Sequence, residues 1–491
     1  MTVERPLTIP DLLASTLSPA LIAAACIWAL PLAATAQLDE TALATVASWT
    51  ALDVVTGYET RAADGLASAL PGFSADRWGN VVRVVGSGSP RRIVACALDA
   101  PGLSASHITE DGYLRVHRIG RGSRHSLWDQ AFEAQQVRVL TPNGPVAGVV
   151  ARTNGHFAAQ HRGQTAVVGA DDLWVDVGAE SAGDVAALGI GLLDPIVRHL
   201  PPWPIEGAIA GPAAGRRAGC AIVAALAEEA SSGGAAGEIH FVMSAQEGFG
   251  WIGLSSYIAR GGAFDGVTVL APGAAEGGAE DRSADRFGRM GAVLADAGLS
   301  SVHWIAPSVR APGAHMEVIS ADEISSVRGQ AARATEIRDD SGAWVRAPDP
   351  APLRSDHFDA SVAEPARVLT DLVELHGVPG HEWAVRRYVL ESLPAWARER
   401  AVVDDIGNIW VEVGPERDTT VFMAHIDEVG YAIESIGDDG VVSFFRLGGA
   451  VSSAWEGQTA LLHFDPPEAP STRFAEGESI DGRWKTMSLE A

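Results

Sequence analysis

The chain has 491 residues, with 36 Lys+Arg against 62 Asp+Glu and a formal net charge of −26. Its 47% hydrophobic and 20% charged content is globular, which excludes wholesale disorder, and the acidity excludes nucleic acid, whose binders need a clustered basic surface. The only lysine is Lys485, so Schiff-base chemistry and a P-loop phosphate grip are excluded as well.

At roughly 150 residues per domain the length predicts about three compact units. The run Leu17–Ala36 is apolar and ends in Ala34-Thr35-Ala36, the pattern of a secretory signal cleaved before Gln37. Pro19 and Pro31 interrupt the run, so it predicts no lasting membrane anchor, and the mature protein is expected to be periplasmic or secreted. Cys96 and Cys220, each in an apolar segment, are expected to be buried free thiols.

Alternating apolar residues predict strands over Asn80–Val85, Arg92–Leu98 and Glu238–Ser244, and Ala218–Ala230 has the composition of a helix packed on a sheet. Short β runs with glycine turns over Glu133–Val197 suggest a small inserted β-domain. Self-comparison organises the rest. VVTGYE (Val54–Glu59), DRWGN (Asp76–Asn80), ALDAPG (Ala97–Gly102) and ITEDGYLRVHRIG (Ile108–Gly120) have counterparts in HGVPGHE (His376–Glu382), DIGN (Asp405–Asn408), HIDEVG (His425–Gly430) and IGDDGVVSFFRLG (Ile436–Gly448). Gly79 and Gly407, Asp99 and Asp427, Gly102 and Gly430, Gly112 and Gly440, and Gly120 and Gly448 are each 328 residues apart. Strands are accordingly expected over Gly407–Val413 and Thr420–His425, while Pro-rich Arg346–Arg367 reads as a linker. The expected organisation is a signal over 1–36, a module over 37–340 with its β-insert at about 125–204, a linker over 341–365, and a partial second module over 366–491.

These motifs resemble the glutamyl and tetrahedral aminopeptidases, also described as cellulase M-like. LTDLVELHGVPGHE, DDIGN, MAHIDEVGYAI and DDGVVSFFRLGG carry the likeness in the second copy. DLWVDVGAESAGDVAALGIGLLD, GRRAGCAIVAAL and HFVMSAQEGFGWIGL extend it in the first. The resemblance implies an α/β fold, a mixed sheet sandwiched by helices with an inserted β-domain. It also implies peptide hydrolysis from the N-terminus by two zinc ions, and self-association through the insert. Such chemistry needs His and carboxylate ligands gathered from several strand ends, with a further carboxylate as general base.

By the same resemblance, His425 is a metal ligand and Asp427 orients it, Glu247 stands at the general base, Asp99 at the orienting Asp of the first copy, and His315 at the last ligand. Four other ligand positions of the first copy fall on Ala97, Gly215, Gly248 and Ala271, which offer no side-chain donor. The reading is therefore an exported zinc aminopeptidase with an inactive first module and a truncated second. The alternative is an exported pseudo-peptidase that binds peptides or a partner.

Overall fold

A computed structural model describes residues 40–120, 127–151, 169–233, 236–272, 299, 301–340, 342–354, 363–414, 420–438, 441–448, 462–463 and 487–488. The signal-like segment 1–36 and the acidic glycine-rich stretch 274–288 lie outside these residues. Two compact units form, one from residues up to 125, 136–148 and 177–352, the other from 126–135, 149–176 and 353 onward.

The first unit is an α/β sandwich. Its strands are β1 (Ser74–Ala75), β2 (Val81–Gly86), β3 (Arg91–Ala97), β4 (Gly102–Ile108), β5 (Leu114–Ile119), β6 (Gln136–Thr141), β7 (Gly144–Ala151, whose last residues pair with β8, Trp174–Asp176, in the second unit), β9 (Pro195–Arg198), β10 (Trp203–Ile205), β11 (Ala208–Gly211), β12 (Glu238–Ser244), β13 (Gly266–Leu270), β14 (Ser301–Ile305) and β15 (Glu317–Ser320). The central sheet runs β1-β2-β12-β3-β13-β14, with β12, β3, β13 and β14 parallel and β2 antiparallel to β12.

β3 shows why the sequence folds this way. Val94 and Cys96 pack with the Ala214–Gly233 helix, while Ile93, Ala95 and Ala97 pack with Trp251, Leu254 and Ile258 around the Ile252–Gly261 helix. A strand covered on both faces is apolar on both, which is what RIVACAL encodes. The thiols expected to be free form a disulfide instead, Cys96–Cys220, with Cα atoms 5.3 Å apart. Strand and helix present the two side chains to each other across 124 residues of sequence, a meeting that no local pattern displays.

Two further expectations change. β9 pairs with β4 as well as β6, so the antiparallel sheet of the expected insert begins at Gly102, before residue 125. The segment expected as a linker is partly pinned: Trp49 Nε1 donates to the Val345 carbonyl at 2.8 Å, Ala347 N donates to Ser48 Oγ at 3.0 Å, and Arg328 Nη1 donates to the Ala343 carbonyl at 2.6 Å. Proline and low apolar content suggested freedom, but anchoring groups distant in sequence hold the chain.

The second unit contains the helices Ala363–Val373 and Trp383–Ser392 and the strands β16 (Val402–Val403), β17 (Ile409–Trp410), β18 (Gly430–Ile436) and β19 (Val442–Leu447). The strand expected over Gly407–Val413 shortens to β17, and residues 420–429 form no strand where Thr420–His425 was expected. Val421, Phe422 and Met423 are 78%, 95% and 93% exposed, whereas Ile93, Val94 and Ala95, 328 positions earlier, are fully buried. β3 is a central strand with parallel neighbours on both sides, β12 and β13, whereas residues 420–429 have no strand pairing among the described residues.

Elsewhere the units repeat one another closely. Asp76 Oδ1 accepts from Trp78 N (2.8 Å) and Asn80 N (3.0 Å), and Asp404 Oδ1 accepts from Ile406 N (3.1 Å) and Asn408 N (2.8 Å). Gly79 and Gly407 hold φ of 84° and 92° in these turns, which glycine adopts without strain. The β4–β5 and β18–β19 hairpins share every paired position at the 328-residue shift, and both ladders slip at the same place, between Ala105 and His107 and between Ile433 and Ser435.

Candidate functional site

Beyond the C-terminal end of β3, Leu98 N donates to the Ser244 carbonyl at 2.8 Å, aligning the loops that follow β3 and β12. In an α/β sheet this carboxyl edge is where reactive groups gather. Asp99 follows β3 and Glu247 follows β12, and the structure brings them together: Glu247 N donates to Asp99 Oδ1 (2.8 Å), and Gly248 N (3.0 Å) and the Thr56 hydroxyl (2.7 Å) donate to Oδ2. Asp99 is 1% exposed. Burial and then the charge of Glu247 push its carboxyl pKa up, while Arg216 and these hydrogen bonds oppose the rise. The carboxylate thus fastens the two loops.

Glu247 is paired with the guanidinium of Arg216 in the first turn of the Ala214–Gly233 helix. Burial disfavours the Arg216 charge, but Glu247 and Asp99 more than offset that and raise its pKa above the ordinary arginine value. The next residue, Arg217, is lowered to about 10 by burial and donates to the carbonyls of Leu98 and, at 3.2 Å, Leu52. Glu317 closes the far side: its Oε2 accepts from Gly215 N (3.1 Å) and its Oε1 from Gly313 N (2.9 Å), setting a carboxylate at the helix N-terminus, where the dipole favours it. Gln246 precedes Glu247 in the left-handed region (φ 57°), held by its N–H to Glu59 Oε1 at 2.8 Å.

The residues do not fit a dinuclear metal centre. Gly215 and Gly248 carry no donor, and the room for one is gone: a Cβ at Gly248 would stand 2.6 Å from Thr56 Oγ1 and 3.2 Å from Asp99 Oδ2. A Cβ at Gly215 would stand 3.1 Å from Pro272 and from Val309. Ala97 and Ala271, 0% and 2% exposed, are core residues. Among the described residues no group of three or more His, Cys, Asp or Glu is arranged to hold a metal.

Two predicted site residues are a histidine near Glu317 and a histidine of the second unit. His315 is half-buried in the bend before β15, two residues from Glu317. In the second unit, His425 is 84% exposed at its side chain, with Nδ1 2.8 Å from the Asp427 carbonyl oxygen and 3.3 Å from Asp427 Oδ1. Sequence reasoning missed Arg216, Glu317, Thr56 and Glu59. Arg216 had a usable signal: in GRRAGC it places a positive charge where the resembled motif carries its second Asp.

The M42 glutamyl aminopeptidase family model matches residues 79–289 and 407–470, more than half of the sequence. The chain belongs to this family. It is 29% identical over 191 residues to a putative aminopeptidase, SgcX, of Escherichia coli (38% of this chain, 49% of the relative). It is 33% identical over 114 residues to lysyl aminopeptidase of Pyrococcus furiosus (23% of this chain, 32% of the relative). The chain therefore spans about half the length, or less, of the curated relatives it matches. Among solved structures it is similar to an aminopeptidase of the archaeon Desulfurococcus kamchatkensis (20% identity, TM-score 0.48, 62% of this chain and 96% of that one). The Pyrococcus horikoshii TET1 peptidase, which can assemble into a tetrahedron or a large octahedral shell, is similar at 18% identity and TM-score 0.48 (60% of this chain, all of that one). The matched family and its aminopeptidase relatives do not support the expected periplasmic or secreted location, and that expectation is withdrawn. Among the described residues no helix is long and apolar enough to cross a membrane.

Proposed function

We propose that peptide hydrolysis, the activity of M42 aminopeptidases, depends in this protein on the second copy of the module, which carries His425 and Asp427, while the first unit is a copy that supplies no metal ligand. The observation that carries the reading is the Arg216–Glu247 ion pair, which engages the carboxylate at the general-base position in a unit whose Gly215 and Gly248 have no donors. Two family matches that begin 328 residues apart, at 79 and 407, support the repeat, as do the matching hairpin registers. Zinc is the proposed metal, peptides the proposed substrates, and self-association through the β-rich segment belongs to the same proposal.

The chemistry assigned to the second copy follows from its atoms. His425 Nδ1–H donates to Asp427, which fixes the tautomer and leaves Nε2 as the lone-pair nitrogen for a metal. A zinc ion there would polarise a peptide carbonyl and lower the pKa of a bound water. The 491-residue chain is expected to hold fewer than two zinc ions and to turn over aminoacyl anilides negligibly. The zinc it does take up should be lost in His425→Ala and held roughly 10–100-fold more weakly in Asp427→Asn. Elemental analysis with zinc titration decides. Two tightly held ions, unaffected by His425→Ala and accompanied by turnover, would place the metal in the first copy and overturn the reading.

A further inference from the structure

We infer that the Arg216 guanidinium has taken over the electrostatic role of the metal ions in the first unit, so that this unit is held together by an internal cation and folds without metal. The inference deepens the reading of that unit as a copy without metal ligands. Three buried carboxylates surround this site, Asp99 and Glu247 from the carboxyl edge of the central sheet and Glu317 from the start of β15, at 1%, 7% and 6% exposure. Such a group of like charges, taken out of water, is relieved by protonation or by a compensating cation. In the resembled motifs the cations are metals and four more carboxylates stand at positions 215, 216, 248 and 271. Here these are Gly215, Arg216, Gly248 and Ala271. Four negative charges have gone and one fixed positive charge has arrived.

The geometry agrees with this exchange. Arg216 pairs directly with Glu247, and the fields of Asp99 and Glu317 also act to keep it charged. Its side chain is 13% exposed, so the pair is shielded from salt far better than a surface pair would be. The space that ligand side chains would need is filled by Thr56 beside Gly248 and by Pro272 and Val309 beside Gly215. Guanidinium and packing together occupy the region, and Arg216 is a structural counter-ion rather than a catalytic residue.

A double-mutant cycle in the full chain tests this, on a His425→Ala background so that zinc at the second copy cannot contribute. Arg216→Met should lower the melting temperature by on the order of 5–10 °C, because it removes the guanidinium that compensates the buried Glu247 charge. Adding Glu247→Gln to Arg216→Met should restore most of that loss, since no unpaired charge then remains. An arginine acting only by its bulk would give no such recovery. If Arg216→Met yields no folded protein, folding of the double variant reads as the same recovery, and Arg216→Lys, which keeps a charge, should fold with a smaller loss. Chelation by EDTA, or added zinc, should leave the melting temperature of the Arg216 protein unchanged. A melting temperature indifferent to Arg216→Met, no recovery in the double variant together with a damaged Arg216→Lys, or a fall on chelation would each overturn the inference. The cycle reads stability alone, so it can fail while the zinc assay at His425 succeeds, and the reverse.

Discussion

Glu59 bears an electrostatic cost set by its surroundings. It is 1% exposed, and burial, followed by the nearby charge of Asp99, raises its pKa to about 7 from an ordinary 4.5. The folded chain therefore holds this proton more tightly than the unfolded chain does. Stability from this group is complete below about 4.5 and is lost as pH rises through about 7. The loss amounts to on the order of 3 kcal/mol. Glu59→Gln keeps an oxygen to accept from Gln246 N but removes the titration, so its melting temperature should be flatter than that of the parent between pH 5 and 8, about the window the shift defines. Parallel melting curves for the two proteins across that range would refute the assignment.

At the scale of elements, identical patterns meet different fates. Val94 lies inside β3 between two parallel neighbours, while Phe422, its counterpart 328 residues on, is 95% exposed in a segment without strand structure. Val94→Ala should cost about 2 kcal/mol, whereas Phe422→Ala should shift stability by no more than ~0.5 kcal/mol and should reduce binding of the hydrophobic dye ANS. Equal destabilisation in denaturant titrations would contradict the exposure. β3, β12 and the Ala214–Gly233 helix were legible because their apolar spacing is local and their partners are present. Thr420–His425 has the spacing, but spacing cannot report whether a neighbouring strand pairs with it, and among the described residues none does. The Cys96–Cys220 bridge was hidden for a related reason, since the meeting of a strand with a helix is a tertiary event. Replacing both cysteines with alanine should cost roughly 2–5 kcal/mol, measured as a shift of the urea midpoint, and no shift would show that the bridge carries no stability. At the site, the missing donors at 97, 215, 248 and 271 could be read directly from residue types. The Arg216–Glu247 pair could not, because two residues 31 apart in sequence meet only once β12 and the helix are packed.

Across the whole molecule, a net charge of −26 sets up long-range self-repulsion, which salt screens over a Debye length of about 10 Å at 0.1 M. Raising ionic strength from about 0.01 to 0.5 M should therefore raise the melting temperature by a few degrees. The increment should be the same in Glu59→Gln, whose buried site lies beyond the reach of mobile ions. Calorimetry showing a fall with salt would mean that exposed ion pairs, rather than net repulsion, dominate the balance.

The crowding at Gly248 gives the history of this protein a direction. A glutamate placed there would meet the Thr56 and Asp99 side chains at distances that force a neighbour to shift, and overpacking of this kind costs roughly 1–3 kcal/mol. Position 215 would still lack its acid, and Arg216 would still repel an arriving cation. No intermediate on the way back binds metal, so selection for catalysis has nothing to act on until several changes coincide. On the proposed reading of the first unit as a copy without metal ligands, it stands behind a ratchet: drift could remove a metal centre one residue at a time, but single steps cannot rebuild it.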